Sequence, residues 1–135
     1  MALIEWNENL SVNVDEIDAQ HQQLVGLIND LNDAMREKRA KEALGGIIDS
    51  LTDYAVRHFS TEENYFEKFE YPETRVHKKE HNNFVEKVAI FKKGFDEGKV
   101  LLSIDVIDFL KDWLINHIQG SDKKYGPFLN EKGLR

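Results

Sequence analysis

Four segments of the chain repeat apolar residues at steps of three and four, which is the period of an amphipathic helix. They cover about residues 18–38, 43–69, 73–95 and 103–118. The connections between them are short, and no run alternates with the period of a strand. Helices of similar length joined by short connections pack as antiparallel neighbours. The pattern therefore predicts an all-α protein, an antiparallel up-down-up-down four-helix bundle.

The two ends of the sequence are predicted to lie outside these helices. Residues 1–17 mix apolar and polar types without a helical period and are interpreted as an extended N-terminal arm. Beyond residue 118, Gly120, Gly126 and Pro127 predict a broken C-terminal tail. A chain of 135 residues suits one domain with one core, so residues 1–135 are interpreted as a single domain.

Composition excludes several classes of function. Acidic residues number 25 and basic residues 18, and the net charge of −7 argues against binding to nucleic acid or to an anionic membrane surface. The absence of cysteine excludes disulfides, thiolate zinc sites and thiol catalysis. The sequence contains no apolar run of membrane-spanning length and no secretory signal, so we expect a cytoplasmic protein without membrane insertion.

Histidine is the residue type that carries the functional signal. All five histidines lie on the apolar seams of the predicted helices: His21, His58, His77, His81 and His117. Glu62 also lies on a seam, one turn after His58. Seam positions face the interior, where an unpaired carboxylate is almost never found. A single seam histidine is more often a hydrogen-bonded core residue, but five on four helices favour a metal site, which uses nitrogen lone pairs and carboxylate charge together.

The positions of these residues along the helices place them at one level of an antiparallel bundle. His21, His77 and His81 lie near helix starts, whereas His58 and His117 lie toward helix ends. The i, i+4 spacing of His77 and His81 puts both rings on one helical face. Five imidazoles and one carboxylate exceed the needs of a four-coordinate zinc ion, which favours two metal ions that share bridging carboxylates.

A second bridging carboxylate is expected on the fourth helix, near His117. Asp122 is the candidate, but its spacing of five residues from His117 places it about 140° away around a regular helix. The two side chains can share a face only if the helix loosens into a wider turn, which Gly120 would permit.

In the order and spacing of these seven residues the sequence resembles the hemerythrin family, specifically its single-domain bacteriohemerythrins. The similarity covers most of the chain and consists of His21, His58-x-x-x-Glu62, His77-x-x-x-His81 and His117-x-x-x-x-Asp122. It implies a non-haem di-iron centre with two iron ions per chain. The resemblance assigns His77, His81 and His117 to one iron and His21 and His58 to the other, which keeps one open position. Glu62 and Asp122 would bridge the irons together with an oxo or hydroxo group.

The resemblance also implies the function, which is reversible dioxygen binding by a carrier, store or delivery protein, with O2 held as hydroperoxide on the open iron. It implies no enzymatic activity. The expected partner is an O2-consuming enzyme or a reductase, and the chain is expected to be a monomer. The pocket at the open position should be apolar to exclude water. Its candidates, for each of which plain core packing is the commoner role, are Leu24, Phe59, Trp113, Leu114 and Ile118.

Other functions fit parts of the same pattern. The segment His77-Lys-Lys-Glu80-His81 matches the H-x-x-E-H motif of zinc peptidases, but this interpretation leaves three seam histidines unexplained and puts Glu80 off the seam. A peroxidase or nitric-oxide-handling activity at the same di-iron site is a second alternative. A sensing module for O2, nitric oxide or iron is a third, although the sequence shows no fused partner domain, which favours a stand-alone carrier or store.

Overall fold

The structure, a computed structural model, describes residues 4–99 and 102–135. Helix α1 spans Asp15–Arg36, α2 spans Ala40–Phe69, α3 spans Thr74–Asp96 and α4 spans Leu102–Trp113. Helix α4 continues directly into a π-helical stretch, Leu114–Asp122, which we call the π segment, and then into α5, Lys123–Glu131. The described residues form no strand. None of their helices is both long and apolar enough to cross a membrane.

These helices pack as the predicted four-helix bundle, which is thereby confirmed. Helix α1 contacts α2 and α4, and α3 contacts the same two helices. The apolar seams meet in the interior, because residues three and four apart lie on one face of each helix. All four helices contribute fully buried side chains to this main core, among them Ile28, Leu31, Ile48, Leu51, Phe84 and Leu110.

The helices end where the backbone turns into the left-handed region. Lys38 has a φ of 59° after α1, Glu70 has a φ of 55° after α2, and Gly98 has a φ of 73° after α3. A left-handed residue just past a helix stops the helical hydrogen bonding and reverses the chain. The connections are therefore short, and consecutive helices run antiparallel.

Of the predicted N-terminal arm, the described residues 4–14 precede α1 and contain one short 3-10 turn, Glu8–Leu10. Helix α1 begins at Asp15, three residues before the predicted start. Asp18 ties the arm to the first turn of α1, because its carboxylate accepts hydrogen bonds from the Val12 N–H at 2.8 Å and from the Ser11 hydroxyl. Val12 and Val14 are buried as a result.

The C-terminal part of the chain differs from the sequence prediction. The predicted fourth helix ends near residue 118 and is followed by a broken tail, whereas the structure is helical to Glu131, with Pro127 inside α5. Tertiary packing explains the difference, because Tyr125 and Leu129 are fully buried in a second apolar cluster, completed by Val12, Val14, Ile17, Phe66 and Tyr71. A Cβ atom on Gly126 would lie 2.6 Å from the Val12 carbonyl oxygen, so the arm can cross α5 only at a glycine.

Candidate metal centre

Seven titratable side chains are buried together between the main core and the second apolar cluster, and we call them the polar cluster. Helix α1 contributes one of them, α2 and α3 two each, and the π segment two. None is more than 2% exposed: His21, His58, Glu62, His77, His81, His117 and Asp122. The structure thus brings together all seven residues that the sequence analysis selected. Their burial follows from the seams, because each of these helices buries the same face along its length.

The side chains of the polar cluster form two groups that could each hold one metal ion. The three-histidine group contains Glu62, His77, His81 and His117. The two-histidine group contains His21, His58, Glu62 and Asp122. Within each group the potential ligand atoms lie within 4.8 Å of one another.

Both carboxylates contact histidines of both groups. Glu62 Oε1 lies 2.8 Å from His58 Nε2 and 3.3 Å from His81 Nε2. Asp122 Oδ2 lies 3.1 Å from His21 Nε2, while its Oδ1 lies 2.6 Å from His77 Nε2 and 3.0 Å from His117 Nε2. All five imidazoles therefore direct Nε2 toward a carboxylate, and each carboxylate is placed where it could bridge two ions.

Hydrogen bonds on the outer side of the cluster define which ring nitrogen carries the proton. His58 Nδ1 lies 2.6 Å from Gln20 Oε1, and His81 Nδ1 lies 2.8 Å from Glu63 Oε2. Amide and carboxylate oxygens only accept hydrogen bonds, so Nδ1 of each ring must be the donor. In its neutral form each of these rings directs the lone pair of Nε2 into the cluster, which is the tautomer that a metal ion requires.

The inner side of the cluster fits a cation. Buried atoms without a hydrogen-bond partner among the described residues include both Glu62 carboxylate oxygens, Asp122 Oδ2, and Nε2 of His81 and His117. With the protons on Nδ1, unprotonated nitrogen faces carboxylate oxygen at distances as short as 2.8 Å. Two acceptors repel each other in a dry interior unless a proton or a cation lies between them. The nitrogen and oxygen donors, without sulfur, suit a first-row transition metal.

The charges within the cluster favour ionised carboxylates. Burial and the nearby Asp122 charge both raise the pKa of Glu62, but the contacts with His58 and His81 outweigh them, and this pKa is lowered. Burial also opposes ionisation of Asp122, yet His117, His21 and His77 hold its pKa well below the usual range. Both carboxylates are therefore negatively charged at neutral pH.

His117 responds to the same charges with the opposite sign. Burial lowers the pKa of His117, but Asp122 and Glu80 together raise it to about 10. Burial lowers the pKa of His58, which keeps that ring neutral. A metal ion that binds His117 must therefore displace a proton, whereas His58 already offers a free lone pair.

The π segment solves the spacing problem between His117 and Asp122. In this nine-residue stretch the backbone bonds run to the fifth residue along, so side chains five apart share a face. Asp122 Oδ1 consequently lies 3.0 Å from His117 Nε2. The loosened helix expected from the sequence is present. A Cβ atom on Gly120 would meet nothing within 4 Å, so packing does not require glycine there.

The five residues predicted to line an apolar pocket are all buried in the main core: Leu24, Phe59, Trp113, Leu114 and Ile118. Two of them stack directly on the polar cluster. The Phe59 ring lies parallel to His81 with centroids 3.9 Å apart, and Trp113 lies on His117 at the same separation. These rings cover one side of the cluster with apolar surface.

Sequence reasoning missed the outer hydrogen-bond acceptors. Gln20, Glu63 and Glu80 are each adjacent in sequence to a member of the polar cluster, and this adjacency was the available signal. Glu80 bears on the zinc-peptidase alternative, which needs it beside the metal. It lies outside both groups instead, with Oε1 accepting from the Ser121 hydroxyl and Oε2 3.4 Å from His117 Nδ1. Sequence reasoning also missed Tyr54, whose ring stacks on His58. Burial raises the pKa of the Tyr54 hydroxyl well above 10.

Comparison with known proteins identifies relatives over nearly the whole chain. Residues 12–129 match the family described as Hemerythrin HHE cation binding domain. A bacteriohemerythrin from Methylococcus capsulatus is 37% identical over 96% of this chain and 99% of its own length. One from Stenotrophomonas maltophilia is 35% identical over 93% of this chain and 80% of its own. A crystal structure of wild-type hemerythrin superposes with a TM-score of 0.83 at 35% identity, covering 93% of this chain and 97% of that one.

Proposed function

The chain belongs to the hemerythrin family of cation-binding domains, and on that premise we propose that it binds dioxygen reversibly at a non-haem di-iron centre. The observation that carries the proposal is the convergence of five histidine Nε2 atoms on two fully buried carboxylates. Nitrogen and oxygen donors in two overlapping groups suit two iron ions better than one ion of any kind.

The proposal assigns each member of the polar cluster a role. His77, His81 and His117 would hold one iron, and His21 and His58 the other. Glu62 and Asp122 would bridge the two ions, as their contacts with both groups allow, alongside a solvent-derived oxo or hydroxo bridge. When bound, the iron pair supplies the open position and the electrons for dioxygen, at the position with fewer histidines.

The protein's own residues would keep this chemistry reversible. Phe59 and Trp113 stack on His81 and His117, which fixes those rings and excludes water from one side of the cluster. Leu24, Leu114 and Ile118 belong to the same buried core and would complete an apolar pocket for a small neutral ligand. An apolar surrounding would exclude water and proton donors, whose access would let the reduced ligand leave as hydrogen peroxide and leave the irons oxidised.

The apolar pocket residues favour a protein that binds dioxygen over an enzyme that converts it. No protonatable side chain is among the five pocket candidates, so the pocket itself supplies no acid or base for turnover. A carrier, store or delivery role is proposed, with an O2-consuming enzyme or a reductase as partner. A monomeric state and a cytoplasmic location belong to the same proposal.

Iron content and optical spectra test the proposal directly. Protein loaded anaerobically with Fe(II) should contain two irons per chain, and air should produce a visible absorption band that disappears again under nitrogen. One tightly held zinc ion, or iron without a reversible band, would contradict it. Steady consumption of peroxide or nitric oxide at a rate far above O2 release would instead identify the centre as an enzyme site.

A further inference from the structure

The groups that face the imidazoles of the polar cluster from its outer side differ in charge between the two metal groups. In the three-histidine group, carboxylates face two of the imidazoles, namely Glu63 at 2.8 Å from His81 Nδ1 and Glu80 at 3.4 Å from His117 Nδ1. In the two-histidine group, the neutral amide of Gln20 accepts from His58 at 2.6 Å. No carboxylate is found in the corresponding place among the described residues.

A chain of hydrogen bonds fixes the orientation of the Gln20 amide. Gln20 Nε2 donates to the Thr61 hydroxyl at 3.1 Å, and that hydroxyl donates to the Arg57 carbonyl at 2.9 Å. Because the Thr61 proton is used on Arg57, the hydroxyl can only accept from Gln20. The amide oxygen is therefore the atom that meets His58, and the contact is a neutral hydrogen bond.

His21, the other imidazole of this group, has less support still. Its Nδ1 is buried and has no hydrogen-bond partner among the described residues. His117 Nδ1 in the other group also makes no hydrogen bond within the described part of the chain, but the Glu80 carboxylate faces it at 3.4 Å and is held in place by the Ser121 hydroxyl at 2.8 Å. Among the described residues, the outer side of the three-histidine group therefore carries carboxylates, whereas that of the two-histidine group carries only the neutral Gln20 amide.

An outer acceptor changes how strongly an imidazole donates to a metal. A carboxylate that accepts the Nδ1 proton raises the basicity of the ring, and a charge-assisted hydrogen bond is about twice as strong as a neutral one. A more basic ring stabilises the higher oxidation state of its metal and slows the release of that metal. An amide acceptor raises the basicity of the ring less, so it stabilises the higher oxidation state and slows the release of the metal to a smaller extent.

We propose that Gln20, Glu63 and Glu80 are positioning residues that make the two metal positions unequal. The metal in the three-histidine group is bound more tightly and has the lower midpoint potential, so it remains oxidised longer during a reductive titration. The metal in the two-histidine group is released first and reduced first. This inference rests on the proposed function, since it requires a metal ion in each group.

Two substitutions with opposite expected effects separate the outer contacts from the difference in histidine number. Gln20→Glu gives His58 a carboxylate acceptor, and Glu63→Gln removes the one that faces His81. Gln22→Glu, exposed on the same helix as Gln20, makes the same change of charge and is the control for the first. Glu67→Gln, exposed on α2 with Glu63, is the control for the second.

The first measurement is anaerobic release of Fe(II) to an excess of a coloured ferrous chelator. The parent protein should release iron in two phases of equal amplitude. Gln20→Glu should slow the fast phase about tenfold, and Glu63→Gln should speed the slow phase about tenfold, the lower end of the range for lost outer contacts. The two controls should match the parent.

The second measurement is a stepwise reductive titration of the fully oxidised protein, which gives two midpoint potentials. If the outer residues had a purely structural role, the two substitutions would not shift these potentials in opposite directions. Gln20→Glu should lower the first midpoint potential, and Glu63→Gln should raise the second. If Gln20→Glu behaves like Gln22→Glu, or if Glu63→Gln changes the fast phase alone, the inference is wrong. If the parent protein does not hold two irons, the proposed function itself fails, and this is established before either measurement.

Discussion

The interior of this bundle is built in two different ways along the same helices. In the main core, Leu31, Ile48 and Leu51 are fully buried and gain stability simply by leaving water. In the polar cluster, equally buried side chains carry charge and lone pairs that lose water and need partners. One region is stable by itself, whereas the stability of the other depends on what binds there. The comparison shows that one part of the interior can stabilise the fold while another part, at a cost in stability, holds the side chains that could bind a ligand.

Removal of the metal is the most direct test of this difference between the two regions, and it should change the free energy of unfolding more than any substitution considered below. A ligand that binds only the folded chain stabilises it by about 4 kcal/mol at a free concentration one thousand times its Kd. We expect the free energy of unfolding at pH 7 to fall by at least about that amount after chelation. Urea unfolding followed by circular dichroism measures it. Equal stability before and after chelation would exclude the polar cluster as a metal site.

The same substitution at two positions of the main core, only one of them a candidate for the dioxygen pocket, sharpens the comparison. Leu51→Ala and Leu114→Ala each empty a buried position, and each should cost about 2–5 kcal/mol of unfolding free energy. Only Leu114→Ala should also speed decay of the oxygenated absorption band, because water that fills the gap beside the cluster displaces the bound ligand. Both variants should still bind two irons. Equal decay rates in the two folded variants would show that Leu114 acts through packing alone.

The pH dependence of the chelated protein should come from the polar cluster. The pKa of His117 is raised to about 10, so its contribution to stability is complete below its ordinary pKa near 6.5 and is lost as the pH rises through 10. The lowered pKa values of Glu62 and Asp122 act oppositely, with contributions that are present above about pH 4 and lost in acid.

The lowered pKa of His58 adds a loss of stability below about pH 6.5, so chelated protein should be most stable near that pH and should lose on the order of a few kcal/mol by pH 10. Iron-loaded protein should lose less over the alkaline range, since metal-bound imidazoles bind no proton. Urea unfolding at a series of pH values measures both curves. Rising stability of the chelated protein from about pH 6 to pH 10 would contradict this account.

Two glycines provide the smallest and most local test. Gly126→Ala brings a Cβ atom to 2.6 Å from the Val12 carbonyl, and should destabilise by about 1–3 kcal/mol. Gly120→Ala meets nothing within 4 Å, and should stabilise by up to about 1 kcal/mol as alanine replaces a helical glycine. Thermal unfolding compares the two variants. A destabilising Gly120→Ala would show that the π segment does require glycine.

The polar cluster was predictable from the sequence because buried histidine and glutamate are exceptions to the composition of an apolar seam. His58 and Glu62 stand out for this reason, whereas Gln20 and Glu63 do not. Polar residues on the flank of a surface helix are ordinary, and only the folded chain shows which of them meet a buried ring.

The end of the fourth helix was not predictable for a related reason. Gly126 and Pro127 are local helix breakers, but burial of Tyr125 and Leu129 against the arm outweighs that preference. Local propensity is a weak prior that tertiary contacts override. The contacts come from residues far earlier in the chain, such as Val12, so no window of sequence contains both partners.

The π segment has a consequence for the motions of the protein. Such a widened helix is rare, and nine residues of it persist only where the surroundings hold them. Trp113 precedes the segment and stacks on His117, and Tyr125 follows it and is buried in the second cluster. Within the segment, His117 and Asp122 carry the contacts with the polar cluster. If a metal ion bound by those two side chains is removed, we expect this stretch to fluctuate toward the ordinary α-helical register. Its backbone amides would then exchange with deuterium sooner than those of the adjoining α4, so their exchange rate would report whether the centre is loaded.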